Sequence, residues 1–440
     1  MTTFNTKSSF LSLAIVAVAY GVSVPFTFAH AAPALTYIGD YPHTNTHHLS
    51  NSHNTRALNI DNANAWLEVD AGAYGDNIEA MRHHLNGQAE ICAILKADAY
   101  GFGINNLMPT VMQHNVPCIG IASNEEIRIA RSHGYKGRIM RVRAATNVEV
   151  EDAMQYGVEE LIGSLKQAKI INELAKKAGK NIKFHMALNA GGMDRNGIDL
   201  SVNRLQQDAI AITKMSNLDI VGIMTHFPEE DREDVLKGLT TFKQQTDWLI
   251  KAANLDRDNL TIHAANSFVS LNVPEGWFDM VRPGAILFGE PYFEREDFKF
   301  IMSFKSRVAS VNYYPKGSTV GYDRTYKLTR DSYLANLPFG YSDGYRRTFT
   351  NKGNVLINGH KVPTVGKISM NTTMADVTDY LDIKSGDEVV IFGKQGNVEV
   401  TQNEVEEIVD TLFTEIYVNW GNANPKFLKT PTATMPSAKR

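Results

Sequence analysis

Between about residues 90 and 288, short apolar runs alternate with longer amphipathic stretches, and this rhythm limits the possible folds more than any other feature of the 440-residue chain. The strand-like runs fall at 91–95, 118–122, 139–142, 161–163, 182–188, 220–225, 260–263 and 279–288, the last one interrupted. Stretches such as 165–178 and 231–253 carry apolar residues at helical spacing between them. Eight strands alternating with helices predict a (β/α)8 TIM-type barrel over residues 65–300, with a doubly wound sheet as the competing layout.

Beyond residue 300 the helical period fades. Short strand-like runs are punctuated by Pro315-Lys316-Gly317, Asn358-Gly359, Ser385-Gly386-Asp387 and Gly393, which predicts a separate, mostly antiparallel β domain over 301–428. The run 66–69 precedes the barrel and is open to pairing with that domain. The Thr-, Pro- and Ala-rich tail from Lys429 onward is expected to fray.

The N-terminus has a different character. Lys7 precedes an apolar stretch from Phe10 to about Val24, Pro25 ends it, and Ala29-His30-Ala31 has the small-x-small form of a signal-peptidase site. A membrane anchor needs about 20 apolar residues, so residues 1–31 are expected to be a cleaved export signal to the periplasm. Residues 32–64 read as a poorly ordered polar leader, in which His43, His47, His48 and His53 form a solvated tract rather than a metal site. In an oxidising compartment the two cysteines, Cys92 and Cys118, near the starts of successive strands, are expected to form a disulfide; the alternative is two buried thiols. A net charge of -4 leaves no electrostatic footprint for nucleic acid or for an anionic membrane surface.

The most specific segment is ILKADAYGFG, residues 94–103. It sets Lys96 at the carboxyl end of the first barrel strand, on the face where barrel enzymes build active sites. Partial desolvation there lowers a lysine's pKa towards nucleophilic use. The string closely resembles the pyridoxal-phosphate lysine motif of alanine racemases, and it also carries Tyr100 on the cofactor side. The resemblance runs through nearly all of the chain after the leader. GGMDRNG (191–197) is similar to the segment whose arginine touches the cofactor's phenolic oxygen, which implies that role for Arg195. HAANS (263–267) resembles the phosphate-binding turn, implying Ser267 as a ligand. VRPGA (281–285) resembles the element in which Arg282 faces the pyridine nitrogen and the Gly284 and Ala285 amides bind phosphate. Both fall after strands seven and eight, where barrels favour phosphate. VGYDRTY (320–326) is similar to the catalytic-tyrosine segment, implying Tyr322 as second base. GYSDGY (340–345) and KISMN (367–371) resemble segments lining the entrance and supply Tyr341 and Met370.

Racemisation removes the Cα proton from one face and returns it on the other, so two bases must flank the substrate. In the family the lysine serves the D-face and the tyrosine the L-face. A free phenol, with a pKa of about 10, is a poor base at neutral pH, and an expected network of His263 and Arg282 would stabilise the Tyr322 phenolate. Arg282 cannot readily give a proton to the pyridine nitrogen, which discourages transamination; a carboxylate there would suit decarboxylation. A decarboxylase of basic amino acids is therefore the opposed enzymatic rival. A non-catalytic pyridoxal-phosphate carrier would not need Tyr322.

Departures from an ordinary alanine racemase bear on the substrate. Ala187 and Asn189 stand where the family has a lysine and an aspartate, Asn371 follows the entrance methionine, and no phosphate tyrosine is evident around residues 420–424. Asn189, Gly191-Gly192, Asn196, and Arg141 with Arg143 on the third strand resemble the periplasmic broad-spectrum amino-acid racemases. This implies a larger pocket for free amino acids including alanine, lysine and arginine, with a narrow alanine or lysine racemase as the alternative. Arg141 and Arg143 equally fit barrel-layer or surface positions. The resemblance also implies a head-to-tail homodimer with shared active sites.

Overall fold

The computed structural model describes residues 59–429. The expected signal segment, most of the leader with its four histidines, and the end of the tail lie outside the described residues.

Eight parallel strands stand side by side in sequence order: Glu90–Ile94, Cys118–Ile121, Arg138–Arg141, Val158–Ile162, Ile182–Ala187, Leu218–Met224, Thr261–His263 and Met280–Val281. The eighth pairs with the first, so the sheet curls on itself, and the doubly wound alternative falls. Between the seventh and eighth strands closure rests on two backbone bonds, Asp279 N–H to Ile262 O (3.1 Å) and Arg282 N–H to Ala265 O (2.8 Å). The eighth strand is much shorter than the run 279–288 implies. Pro283 has no N–H for the ladder, and Ala285–Phe288 instead winds into a 3-10 turn. The expected helices are present as Leu165–Lys177 and Arg232–Ala253, started by Ser164 and Asp231 side chains that accept from Gln167 and Asp234 N–H.

The second domain is a largely antiparallel sheet. Its path runs through Ser310–Tyr314, Ser332–Leu337, Thr373–Asp376, His360–Val365, Asn354–Ile357, Glu388–Gln395 and Met302–Arg307. At Asn358-Gly359 both residues have positive φ (50° and 78°), the conformation a two-residue hairpin with native twist requires. The run before the barrel, Ala65–Val69, belongs to this sheet. It lies antiparallel to Met302–Arg307 and parallel to Lys426–Leu428, tying both ends of the described chain together. The leader accordingly gives way to packed structure before residue 64: Ala63 is buried, and Asn64 Nδ2 donates to Pro338 O and to Asp343 Oδ1. Lys429 is likewise fixed rather than frayed, through its N–H to Val69 O and its Nζ to Asp70.

Two helices of this domain, Gln402–Val409 and Phe413–Ala423, accompany the mostly antiparallel sheet. The first carries a readable start signal, since the Thr401 hydroxyl caps Glu404 N–H while the Glu404 carboxylate reaches back to Thr401 N–H. The second packs Phe413, Tyr417 and Trp420 against Phe300, Phe392 and Phe304, and it meets the turn after the first barrel strand through Tyr417 on Phe102 and Gly421 on Gly101.

Cys92 and Cys118 are register partners on the first two barrel strands, Cα atoms 4.3 Å apart, and form a disulfide. Thiol titration of denatured, unreduced protein is expected to find no free thiol. Closing a loop with a sequence separation of 26 removes unfolded-state entropy worth about 3 kcal/mol, so reduced protein should show a lowered denaturation midpoint. Two titratable thiols would contradict the pairing.

Candidate active site

A cavity of about 490 Å³ opens at the carboxyl ends of the barrel strands. Lys96, Tyr100, Arg141, Asn189, Arg195, Asn196, Ser267, Arg282, Gly284 and Ala285 all line it. A larger recess of about 1030 Å³, lined by Glu68, Lys305 and Glu399 among others, contains none of the residues singled out from the sequence.

Lys96 owes its position to an uncommon backbone. Ala97, Asp98, Ala99 and Tyr100 all adopt left-handed φ values of 53–58°, a turn of the disfavoured hand immediately after the first strand. Such geometry costs roughly 1–2 kcal/mol per residue without glycine, so its surroundings must hold it. Asp98 is the main clamp: its N–H donates to Glu126 Oε1 (3.0 Å), its Oδ1 accepts from Ile104 N–H (2.8 Å), and its Oδ2 pairs with Lys426 Nζ (3.0 Å). Gly101 then lets the helix Phe413–Ala423 approach; a Cβ on Gly421 would stand 2.0 Å from the Gly101 carbonyl oxygen. The Lys96 side chain projects into the cavity. Enclosure by protein, followed by the positive Arg195 and Arg282, lowers its pKa against the opposing pull of Glu126.

One end of the cavity is built to take an anion. Ser267 opens a short helix after the seventh strand, and its Oγ accepts from Gly284 N–H (3.0 Å) and Ile286 N–H (3.3 Å). The 3-10 turn that begins at Ala285 follows directly, which sets Gly284 and Ala285 at the same end of the cavity wall. The Tyr100 hydroxyl completes it: a Cβ on Gly284 would lie 2.3 Å from that oxygen, so only glycine admits it. Trp420, near where a phosphate tyrosine was sought, is fully buried and donates to Gly344 O.

At the other end stands Arg282, buried, with Nη1 donating to His263 Nδ1 (2.6 Å) and Nη2 to the carbonyls of Thr225 (2.9 Å) and Ala264 (3.1 Å). Burial pulls its pKa down to about 9, which leaves it a cation at neutral pH. His263 is not on the cavity wall. It is fully buried behind Arg282 and bonded to it, so the expected pairing of the two is present, with Arg282 alone reaching the cavity. The histidine that does line the wall is His226, which the sequence reading passed over. Burial, together with Arg282, Arg195 and Lys96, brings it down to about pKa 3 and keeps it neutral. Its place two residues beyond the sixth strand, on the face barrel enzymes use, was the available signal.

The loop 189–197 lies flat on the barrel rim because three glycines permit contact. A Cβ on Gly191, Gly197 or Gly163 would strike the backbone of His226, Leu188 or Asn196 respectively. Asn189 ties the loop internally, donating to Asp194 Oδ1 (2.6 Å) and accepting from Asp194 N–H (2.9 Å). Arg195 and Asn196 are thereby presented to the cavity, and Ala187 leaves space on the wall. The two arginines of the third strand separate. Arg141 is fully buried and binds Glu160 through Nε (2.8 Å) and Nη2 (3.2 Å), a barrel-layer ion pair whose edge reaches the cavity. Arg143 lies outside the lining and pairs with Glu149 towards solvent, because the strand ends at Arg141 and the chain turns away.

Tyr322 stands elsewhere in the same chain. It occupies a tight turn between Thr319–Val320 and Tyr326–Lys327, is 64% exposed, and lines no part of the Lys96 cavity. Tyr341 and Met370 are brought together by Tyr341 N–H to Ser369 O (3.1 Å) and Ser342 N–H to Met370 O (3.0 Å), and both are exposed. Gly321 bridges to Lys367 in the strand-end leading to Met370, so the three side chains belong to one face of the second domain.

Comparison with known proteins agrees with this architecture. The alanine racemase N-terminal domain model matches residues 69–291, and the C-terminal domain model matches 301–428. The chain is 52% identical over 407 residues (92% of this chain, all of the relative) to a broad specificity amino-acid racemase of Pseudomonas putida. It is 48% identical over 365 residues (83% of this chain, 89% of the relative) to a lysine racemase of Proteus mirabilis. It is also similar to the crystal structure of alanine racemase from Bartonella henselae with covalently bound pyridoxal phosphate, with a TM-score of 0.73, 26% identity, and coverage of 83% of this chain and 99% of that one. The chain belongs to the alanine racemase family.

Proposed function

We propose that this protein is a pyridoxal-phosphate-dependent racemase of free amino acids with broad specificity, including alanine, lysine and arginine. The observation that carries the reading is the cavity's donor set: one lysine of lowered pKa between an anion cradle and a buried arginine. Pyridoxal phosphate, when bound, supplies the electron sink for the electrons left at the substrate Cα. Lys96 would hold it, Ser267, Tyr100 and the Ala285 amide would take its phosphate, with Gly284 N–H shared with Ser267 Oγ, and Arg195 would take its phenolic oxygen. Arg282 would face the ring nitrogen as a cation at neutral pH, offering neither an acceptor site nor a carboxylic acid, and so would leave the ring unprotonated. That electrostatic choice favours returning the proton to Cα, against decarboxylation or transamination.

Lys96 moves the proton on the D-face. The second base is Tyr322 of the partner subunit in a head-to-tail homodimer. The support is that Tyr322, Tyr341 and Met370 form an exposed face of the second domain, and that none of the three lines the Lys96 cavity of their own chain. His226 and Arg282 then lie on the wall that the incoming phenol meets, and the positive charge of Arg282 favours phenolate. Ala187 and the glycine-flattened loop 189–197 widen the substrate side, which supports long as well as short side chains. The export pattern of residues 1–31 and the disulfide support a periplasmic location.

The reading is tested by chiral chromatography of purified protein incubated separately with L-alanine, L-lysine, L-arginine and L-methionine. The D-isomer is expected from several of these, approaching an equal mixture. Conversion of alanine alone would restrict the specificity, and release of CO₂ without any D-isomer would overturn the racemase reading.

A further inference from the structure

The barrel interior holds a polar column that reaches well beyond the cavity. Arg282 can only donate, so His263 Nδ1, 2.6 Å away, is an acceptor and the His263 proton resides on Nε2. That nitrogen lies 2.9 Å from His185 Nδ1, which must accept, leaving the His185 proton on Nε2, 2.9 Å from Glu159 Oε2. Each link has one assignment, so the column has one direction, from guanidinium to carboxylate. All four residues are buried, both histidines completely.

The residues come from separate strands. Glu159 lies on the fourth, His185 on the fifth and His263 on the seventh, while Arg282 follows the eighth. The sixth strand runs between the two histidines, and there Gly222 is the register partner of His185. A Cβ on Gly222 would stand 2.2 Å from His185 Nδ1, so the missing side chain is what lets the histidines meet. Around the column, Arg138 and Lys183 face Glu159, and Arg138 and Arg282 face the histidines. Burial and these cations keep both imidazoles neutral. Burial also opposes ionisation of Glu159, but the His185 N–H with Arg138 and Lys183 outweighs it and holds the carboxylate charged. Stability alone does not call for such a column, because apolar residues of similar volume serve a core as well or better.

We propose that Glu159 and His185 are positioning residues for Arg282: by accepting in sequence, they fix the proton of His263 on Nε2 and so hold the guanidinium in its place on the cavity wall. Loss of the terminal acceptor leaves the buried His185 Nε2–H unpaired, and reversal of both imidazoles relieves that cost only by setting an Nδ1–H of His263 against an N–H of Arg282, so the two arrangements compete. The catalytic consequence rests on the racemase reading; the proton assignment does not.

The test uses full-length protein, as purified, labelled with ¹⁵N-histidine, in wild-type form and as Glu159→Leu, Glu159→Gln and the double variant Glu159→Leu/His185→Leu. Wild type is expected to show His263 and His185 each with an unprotonated Nδ1 and a protonated Nε2 across neutral pH. Glu159→Leu should show mixed tautomers, with kcat lowered roughly 10–100-fold, in the range seen when an orienting partner of a ligating imidazole is lost. KM should change little, and the fraction of turnovers ending in released keto acid should rise. Glu159→Gln retains an acceptor oxygen and should keep both the tautomers and most of kcat. The double variant trades both acceptors for apolar volume but leaves His263 Nε2–H unpaired; it should lose kcat with a thermal midpoint no lower than that of Glu159→Leu, which separates positioning from stability. Wild-type tautomers, kcat and keto-acid fraction in Glu159→Leu would overturn the proposal, as would a double variant with restored kcat. A wild-type protein without racemisation would sink the functional reading while leaving the tautomer pattern as an independent outcome.

Discussion

Replacing Lys96 with alanine is expected to abolish racemisation and to leave purified protein without the visible absorbance of bound cofactor. The two losses have one cause. Lys96 is the cavity's amine of lowered pKa, set on a left-handed turn that Asp98 clamps to Lys426 and Glu126, and no second lysine lines the cavity to replace it. Removing both the covalent attachment and the base should cost on the order of 10,000-fold or more in kcat. Gel-filtered variant protein would be compared with wild type by absorbance and by chiral assay. A variant that stays coloured and still racemises would remove Lys96 from the centre of the reaction.

The second large effect is expected at Tyr322. Tyr322→Phe removes the proton-carrying hydroxyl but keeps the ring, and should lower kcat by roughly 100- to 10,000-fold, the range of a positioned acid–base group. Its partnership with a second subunit makes a sharper expectation. A dimer of one Lys96→Ala and one Tyr322→Phe chain contains one site with both bases intact and one with neither. Random pairing of two inactive chains should therefore restore about a quarter of wild-type activity, since half of the dimers are mixed and each has one good site. Co-expressed, differently tagged chains would be purified and assayed against each parent. Mixed dimers as inactive as the parents would place Tyr322 and Lys96 in the same subunit's site or remove Tyr322 from catalysis.

The barrel was legible because its strands are short, apolar and regularly spaced, and because that period differs from that of the helices between them. Legibility failed where local chemistry overrides pattern. Pro283 cuts the eighth strand to Met280–Val281 although apolar residues continue to Phe288. Helix Phe413–Ala423 was missed because its face is almost wholly aromatic and apolar, a composition that also reads as strand. At the site, Lys96, Ser267 and Arg282 were readable from motifs at strand ends. The left-handed turn beneath Lys96 was not, because Ala97, Asp98, Ala99 and Tyr100 have no intrinsic preference for positive φ and are held there by distant Lys426 and Glu126. The pairing of His263 with Arg282 was legible, but the burial of His263 was not. Sequence gives its place at the end of the seventh strand but not the depth at which it sits behind Arg282. Arg141 and Arg143 are two residues apart in the chain, yet one is sealed against Glu160 and the other reaches solvent, a difference set by where the strand ends.

Two bases on opposite faces are the core of the mechanism, and solvent exchange measures them most directly. L-lysine would be incubated with enzyme in D₂O and both isomers isolated early, long before equilibrium. The D-lysine formed is expected to carry deuterium at Cα while the remaining L-lysine still carries protium, because the proton taken by Tyr322 is not the one delivered by Lys96. D-lysine that retains the original proton, or equal deuterium in both isomers from the outset, would contradict a two-base racemase.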